Sequence, residues 1–259
     1  EGAVFQGAAG LYTEADIANH RSVTNRVHAA GGKIAMQILH TGRYAYHEQL
    51  VAPSAIRAPI NFFTPRALTE DEIEQQITDF AACARLAREA GYDGVEIMGS
   101  EGYFINQFLV RHTNKREDRW GGSYENRMRL PIEIVRRARE VVGADFIIIY
   151  RLSMIDLVPN GSTFDEGVQL AGEIEAAVID QLRAVFRQPE IVAGTWKAAH
   201  AHAADITEAD VRAALLQVDP LWDELFPAEH ARIVALLIER VNIGNDGLDV
   251  RLRVDGLTG

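Results

Sequence analysis

Gln37, the pair Glu101 and Tyr103, and Arg151 stand at or just beyond the ends of three apolar runs of strand length, 33–39, 92–99 and 145–153. A neutral glutamine can fix a planar heterocycle through paired hydrogen bonds, one donated and one accepted. An arginine nearby neutralises negative charge that develops on such a ring. Tyrosine, with an ordinary pKa of about 10, can donate a proton once its surroundings poise it. Together these side chains suit a ring that accumulates negative charge and a substrate that takes up one proton. Each residue taken alone reads more readily as a packing or solvated side chain. Their common placement on successive strands carries the chemical reading.

Other reactive residues are less informative. His40, in "LHTGR", falls near the same strand ends, and His112 lies in the long segment after the second run. His200 and His202 are two apart, so a helix points them in different directions, and they read as surface residues. Ser100 follows the second run without a G-x-S-x-G elbow, so no triad is expected. No His, Cys or Asp cluster has metal-ligand spacing. The single cysteine, Cys83, excludes an internal disulfide and a Cys-based zinc or iron–sulfur site.

The elements that must position these residues alternate. Thr13 and Asp16 open a helix that the pair Gly31-Gly32 stops, and the run 33–39 follows. After a proline-containing loop, Thr69 and Glu72 form a capping box for a helix whose Ile73, Ile77, Phe80, Ala84 and Ala87 share one face. Gly91 ends it ahead of the second run. The stretch "GSEGYFINQFLVRHTNKREDRWGGSYENR" reads as a long loop, and Ser123 caps the next helix, with Pro131 resetting its first turns. The isoleucines of 145–153 read as a strand buried on both faces. Thr163 and Glu166 cap the helix after it.

Strand, loop, helix, three times over, with the longer loops after the strands, is the pattern of a parallel α/β barrel carrying its chemistry at the C-terminal strand ends. The expected fold is therefore α/β, a partial TIM barrel of three consecutive parallel βα units. No G-x-G-x-x-G follows a strand, which leaves a dinucleotide-binding sheet without support. Near residue 176 the alternation gives way to helical spacing through Val178, Leu182, Val185 and Phe186, then to a final hairpin turning at Asp246-Gly247. Two segments are expected, 1–176 as a partial barrel and 177–259 as a mostly helical α+β tail. A reduced flavin beside an enone-like acceptor is the pair of reactants that the strand-end residues would serve.

The 259 residues are 47% hydrophobic and 24% charged, as in ordinary globular chains, with a net charge of −11 that disfavours nucleic acid and anionic membranes as partners. No apolar run reaches membrane-span length, and the first residues lack a secretory pattern, so a cytoplasmic location is expected. The absence of an initiator Met reads as a fragment.

The stretches "IAMQILHTGRYA", "YDGVEIMGSEGYFINQFLVRHTNKREDRWGGSYENRMRLP" and "FIIIYRLSMIDLV" resemble the old yellow enzyme family, and within it the NADPH-dependent 2,4-dienoyl-CoA reductase branch, from about Gly7 to about Ala176. The resemblance implies a β/α barrel that binds FMN and takes hydride from NADPH to reduce the C=C of an enoyl- or dienoyl-CoA-like substrate. By position it makes Gln37 and Arg151 flavin-contacting, Tyr103 the proton donor and Glu101 its neighbour. Met98 and Glu101 stand where many members carry a His and an Asn for the substrate carbonyl. The family's first two strands, its phosphate site near the last strands, its iron–sulfur cysteines and its further nucleotide domains have no counterpart in the text.

Residues 177–257 resemble the C-terminal region of large serine site-specific recombinases, without that family's catalytic serine domain or zinc ribbon. This tail has eight basic against thirteen acidic residues, a poor DNA clamp. The expectation is an oxidoreductase by ancestry, inactive as a truncated chimera and prone to self-association through open sheet edges. The alternative is a recombinase-derived DNA-associated or interaction segment.

Overall fold

The computed structural model describes residues 1–186, 196–197, 200, 207–213, 238–244 and 247–252. Backbone contacts divide the chain into two compact units, Glu1–Val178 and Ile179–Gly259. The order of elements is α1 (Ile17–Ala29), β1 (Ala35–Ile38), β2 (Val51–Ala52), β3 (Arg66–Ala67), α2 (Glu70–Glu89), β4 (Gly94–Gly99), α3 (Phe104–Leu109), α4 (Tyr124–Arg127), α5 (Arg129–Val142), β5 (Ile147–Leu152) and α6 (Phe164–Phe186). The strands β6 (Ile238–Gly244) and β7 (Gly247–Leu252) follow in the second unit.

β1, β4 and β5 form one parallel sheet in that order. A helix-containing crossover joins each pair, as parallel neighbours require. The register sets Gln37 opposite Glu96 and Met98 opposite Arg151. Alternation then divides the side chains. Met36, Ile38, Val95, Ile97, Ile148, Tyr150 and Leu152 join one core with Ile77, Phe80 and Ala84 of α2 and Ile134, Val135 and Ala138 of α5. Gln37, Glu96, Met98, Ile149 and Arg151 take the other face.

The helix starts follow local hydrogen-bond logic. Glu72 accepts from the Thr69 N–H at 2.8 Å, and Thr69 Oγ1 accepts from the Glu72 N–H at 3.3 Å. The five residues expected to line the inner face of α2 are all buried. Thr163 and Glu166 make the same reciprocal pair at the start of α6, at 2.9 and 3.2 Å. Ser123 caps α4, and the helix restarts as α5 after Met128. Pro131 falls in the first turn of α5, where its missing N–H would have no intrahelical partner.

Several expectations need correction. The stretch after β4 is not all loop, because Phe104–Leu109 is helical with all six residues buried. The proline-containing loop holds a short parallel pair, β2 with β3. β5 is not buried on both faces, since Ile149 is 43% exposed on the face away from the helices. The hairpin closes at Gly244 opposite Gly247, so Gly247 belongs to a strand, and Asn245 and Asp246 lie outside the described residues. α6 runs through Phe186, in line with the helical spacing expected past residue 176.

Candidate functional site

The exposed face of the sheet brings together Gln37, Arg151 and Glu101, three of the residues that the sequence singled out. Gln37 Nε2 donates to Glu96 Oε1 at 2.6 Å. The same Glu96 oxygen lies 3.5 Å from Nη1 of Arg151, whose Nε donates to Glu101 Oε1 at 3.2 Å. A continuous polar row therefore runs Gln37, Glu96, Arg151, Glu101 across all three strands. Arg151 is 49% exposed, so the pairs stay accessible and weakly held. Glu96 was not anticipated from the sequence. Strand register alone brings it between Gln37 and Arg151, and no local motif marks it.

Glu101 adopts a left-handed backbone with φ +64°, uncommon for a residue with a side chain, and Gly102 follows at +78°. This double left-handed turn redirects the chain from β4 into α3. Two buried amides hold it. Asn106 Oδ1 accepts from the Gly102 N–H at 2.7 Å, and Gln107 Nε2 donates to the Gly102 carbonyl at 2.7 Å. Gln107 also donates to the Thr41 carbonyl at 3.3 Å, and its Oε1 accepts from the Arg43 N–H at 3.1 Å. One side chain thus ties the turn after β4 to the loop after β1. Gln107→Leu leaves those backbone groups unpaired in the interior and is expected to cost about 1–3 kcal/mol. Urea unfolding at neutral pH checks this, and a loss below about 0.5 kcal/mol would count against the clamp.

Tyr103 is not joined to the polar row. It caps α3, half-buried, and its ring meets Tyr44 edge-on at 5.9 Å. His40 does not face the mouth of the sheet. It is packed between Phe80 and Phe104, with ring centroids 4.0 Å apart in the Phe104 pair, and Nδ1 accepts from the Gly42 N–H at 3.0 Å. Burial lowers its pKa to about 3. His200 is exposed, with its ring tilted against Trp196, and His202 lies outside the described residues. Ser100 is buried against Met98 Sδ at 3.7 Å. Among the described residues no group of three His, Cys, Asp or Glu side chains could hold a metal ion, and no helix is long and apolar enough to cross a membrane.

Beside the row, at the C-terminal strand ends, lies a cavity of about 440 Å³. Arg43, Tyr44, Glu101, His112, Asp156 and Leu157 are among its lining residues. Of these only Glu101 was chosen from the sequence for chemistry, and His112 was noted without a role. Arg43 carried a weak signal, its place in the turn that directly follows β1.

A model of the NADH:flavin oxidoreductase / NADH oxidase family matches residues 1–219, past the sequence boundary expected near 176. The NADH oxidase of Thermoanaerobacter brockii is 44% identical over 161 residues, 60% of this chain and 25% of that protein. The NADH:fumarate oxidoreductase of Klebsiella pneumoniae is 38% identical over 191 residues, 70% of this chain and 21% of that protein. The chain spans about a quarter of the length of these curated relatives. Among solved structures, a 2-naphthoyl-CoA reductase with 2-naphthoyl-CoA superposes with a TM-score of 0.65 at 37% identity, covering 68% of this chain and 29% of that one. The old yellow enzyme homologue from Zymomonas mobilis gives 0.62 at 31%, covering 68% and 54%.

Proposed function

The chain belongs to the NADH:flavin oxidoreductase / NADH oxidase family, and we propose that its first 176 residues are the ring-holding part of an FMN-dependent NAD(P)H ene-reductase. The observation that carries this reading is the polar row Gln37–Glu96–Arg151–Glu101 on the exposed sheet face. Its chemistry fits a flavin ring. Gln37 offers an amide donor and acceptor, and Arg151 offers fixed positive charge, on a face open enough to receive a planar group. These residues account for the ring and not for a phosphate tail. FMN, when bound, supplies hydride transfer between the nicotinamide and the acceptor.

This chain's own residues do the rest. Gln37 holds the ring edge in register with the strands. Arg151 offsets negative charge there, while Glu96 and Glu101 keep the guanidinium in place when the ring is absent. Tyr103, at the start of α3, is the proposed proton donor, its ring fixed by Tyr44 and its backbone by the clamped turn. The substrate class proposed is an enoyl- or dienoyl-CoA-like small molecule, supported by the sequence branch and by the likeness to a CoA-thioester reductase.

Three described parallel strands form an arc, whereas a closed barrel of this kind has eight. We therefore read these residues as supplying the row, one part of such a barrel. The recombinase likeness read in the text of 177–257 is kept only for the residues beyond 219, where the family match ends. FMN titration followed by visible absorbance tests the proposal. Saturable binding is expected for the wild type, weakened at least about tenfold in Arg151→Ala, the loss of one charge-assisted contact. No binding to the wild type, or equal binding to both, would sink it.

A further inference from the structure

Arg43 is 7% exposed and lines the mouth cavity. Among the described residues its guanidinium has no carboxylate or carbonyl partner, and its Nε is buried without a hydrogen bond. Its backbone, by contrast, is engaged on both sides. The N–H donates to Gln107 Oε1 at 3.1 Å, and the carbonyl accepts from Asn61 Nδ2 at 2.9 Å. The side chain is therefore held at the cavity by a fixed backbone. The Tyr44 ring, 5.5 Å from the guanidinium carbon, offers only weak compensation for its charge.

An arginine cannot shed its proton to escape burial, so an uncompensated one is costly unless something completes it. The rest of the cavity indicates what would. Glu101 is paired with Arg151, and Asp156 accepts from Asn106 Nδ2 at 3.3 Å. These two carboxylates repel a dianion such as phosphate but leave one guanidinium for one negative charge. Val110, Ile155, Leu157 and Val158 supply an apolar lip, with Leu157 90% exposed. The volume suits a small ligand.

We propose that the mouth cavity binds a small organic monocarboxylate, its carboxylate on the Arg43 guanidinium and its hydrocarbon body on the lip formed by Ile155, Leu157 and Val158. The planar fork of arginine matches a carboxylate with two parallel hydrogen bonds. Binding is read directly, without flavin or nicotinamide, so its outcome is separate from that of the FMN titration.

The test is calorimetric titration of the full chain with hexanoate, its neutral isostere hexanamide, and inorganic phosphate. Hexanoate is expected to bind saturably, with hexanamide and phosphate at least about tenfold weaker. Arg43→Met is expected to lose about 30-fold or more in hexanoate affinity while melting at or above the wild-type temperature, because it removes an unpaired buried charge. Arg43→Lys, which keeps the charge without the fork, falls between. The proposal is overturned if hexanoate fails to bind, or if hexanamide binds as well. It is equally overturned if Arg43→Met keeps its affinity, or if that variant is destabilised or fails to fold, since Arg43 would then be structural.

Discussion

Arg127→Ala is expected to destabilise the first unit by about 3–5 kcal/mol, the scale for removing one partner of a buried ion pair. Arg127 is 1% exposed and donates to Glu166 Oε1 at 2.7 Å and to the Leu109 carbonyl. Its guanidinium lies 4.9 Å from the Tyr124 ring centre, and the Tyr124 hydroxyl donates to the Glu166 carbonyl at 2.6 Å. One side chain therefore fastens the end of α3, the helix α4 and the start of α6. Truncation strands the Glu166 carboxylate, which keeps only its capping contacts to Thr163. The double variant Arg127→Met/Glu166→Gln should recover much of the loss, because it removes both charges and keeps most of the volume. Urea denaturation of the three proteins decides the matter. A loss under about 1 kcal/mol for Arg127→Ala would mean that water replaces the partner.

The second large effect is on acid stability. His40 is held neutral by burial, with its pKa at about 3 against an ordinary value of 6.5. For a base depressed in the fold, the unfolded chain binds the extra proton at mildly acidic pH. Stability is then full above pH 6.5 and falls as pH drops from 6.5 towards 3. Between pH 7 and pH 5 this one residue should remove about 2 kcal/mol. His40→Asn keeps an acceptor for the Gly42 N–H and has no titration in the window, so its stability should change less over that interval. Equal pH dependence in both proteins would show that His40 is not the group responsible.

The parts of this fold legible in the text are those fixed by nearest neighbours. Thr69 with Glu72, and Thr163 with Glu166, announce helix starts because both partners lie within one turn. The three sheet strands show as apolar runs, and Gln37 and Arg151 could be placed at their ends and are found on one face. What escaped depends on tertiary partners. Helix α3 has all six residues buried, and its polar pair Asn106 and Gln107 bonds to backbone in the interior, so "FINQFL" shows no solvent-facing period. Glu96 enters the row only through strand register, and Ile149 is exposed although its composition argues for burial. That the Arg43 guanidinium meets no carboxylate among the described residues is a property of its surroundings and leaves no trace in spacing. Tyr103 was chosen together with Arg151, yet its contact is Tyr44, since the left-handed turn at Glu101 and Gly102 carries it out of the row.

The parallel pairing of β1 with β4 and of β4 with β5 also governs how the chain reaches this state. Ala35 meets Gly94, and Gly94 meets Ile147, across a whole helix and its loops each time. No strand can find its neighbour by zipping outward from a tight turn, so each pairing must first close a long loop at an entropic cost. Helix α2, with its capping box, and helix α5 have local contacts to nucleate them and pack heavily on each other. The sheet is accordingly the late event. Until β4 slots between its two neighbours, the apolar runs of β1, β4 and β5 stay exposed to other chains, and that interval sets the period of aggregation risk during synthesis.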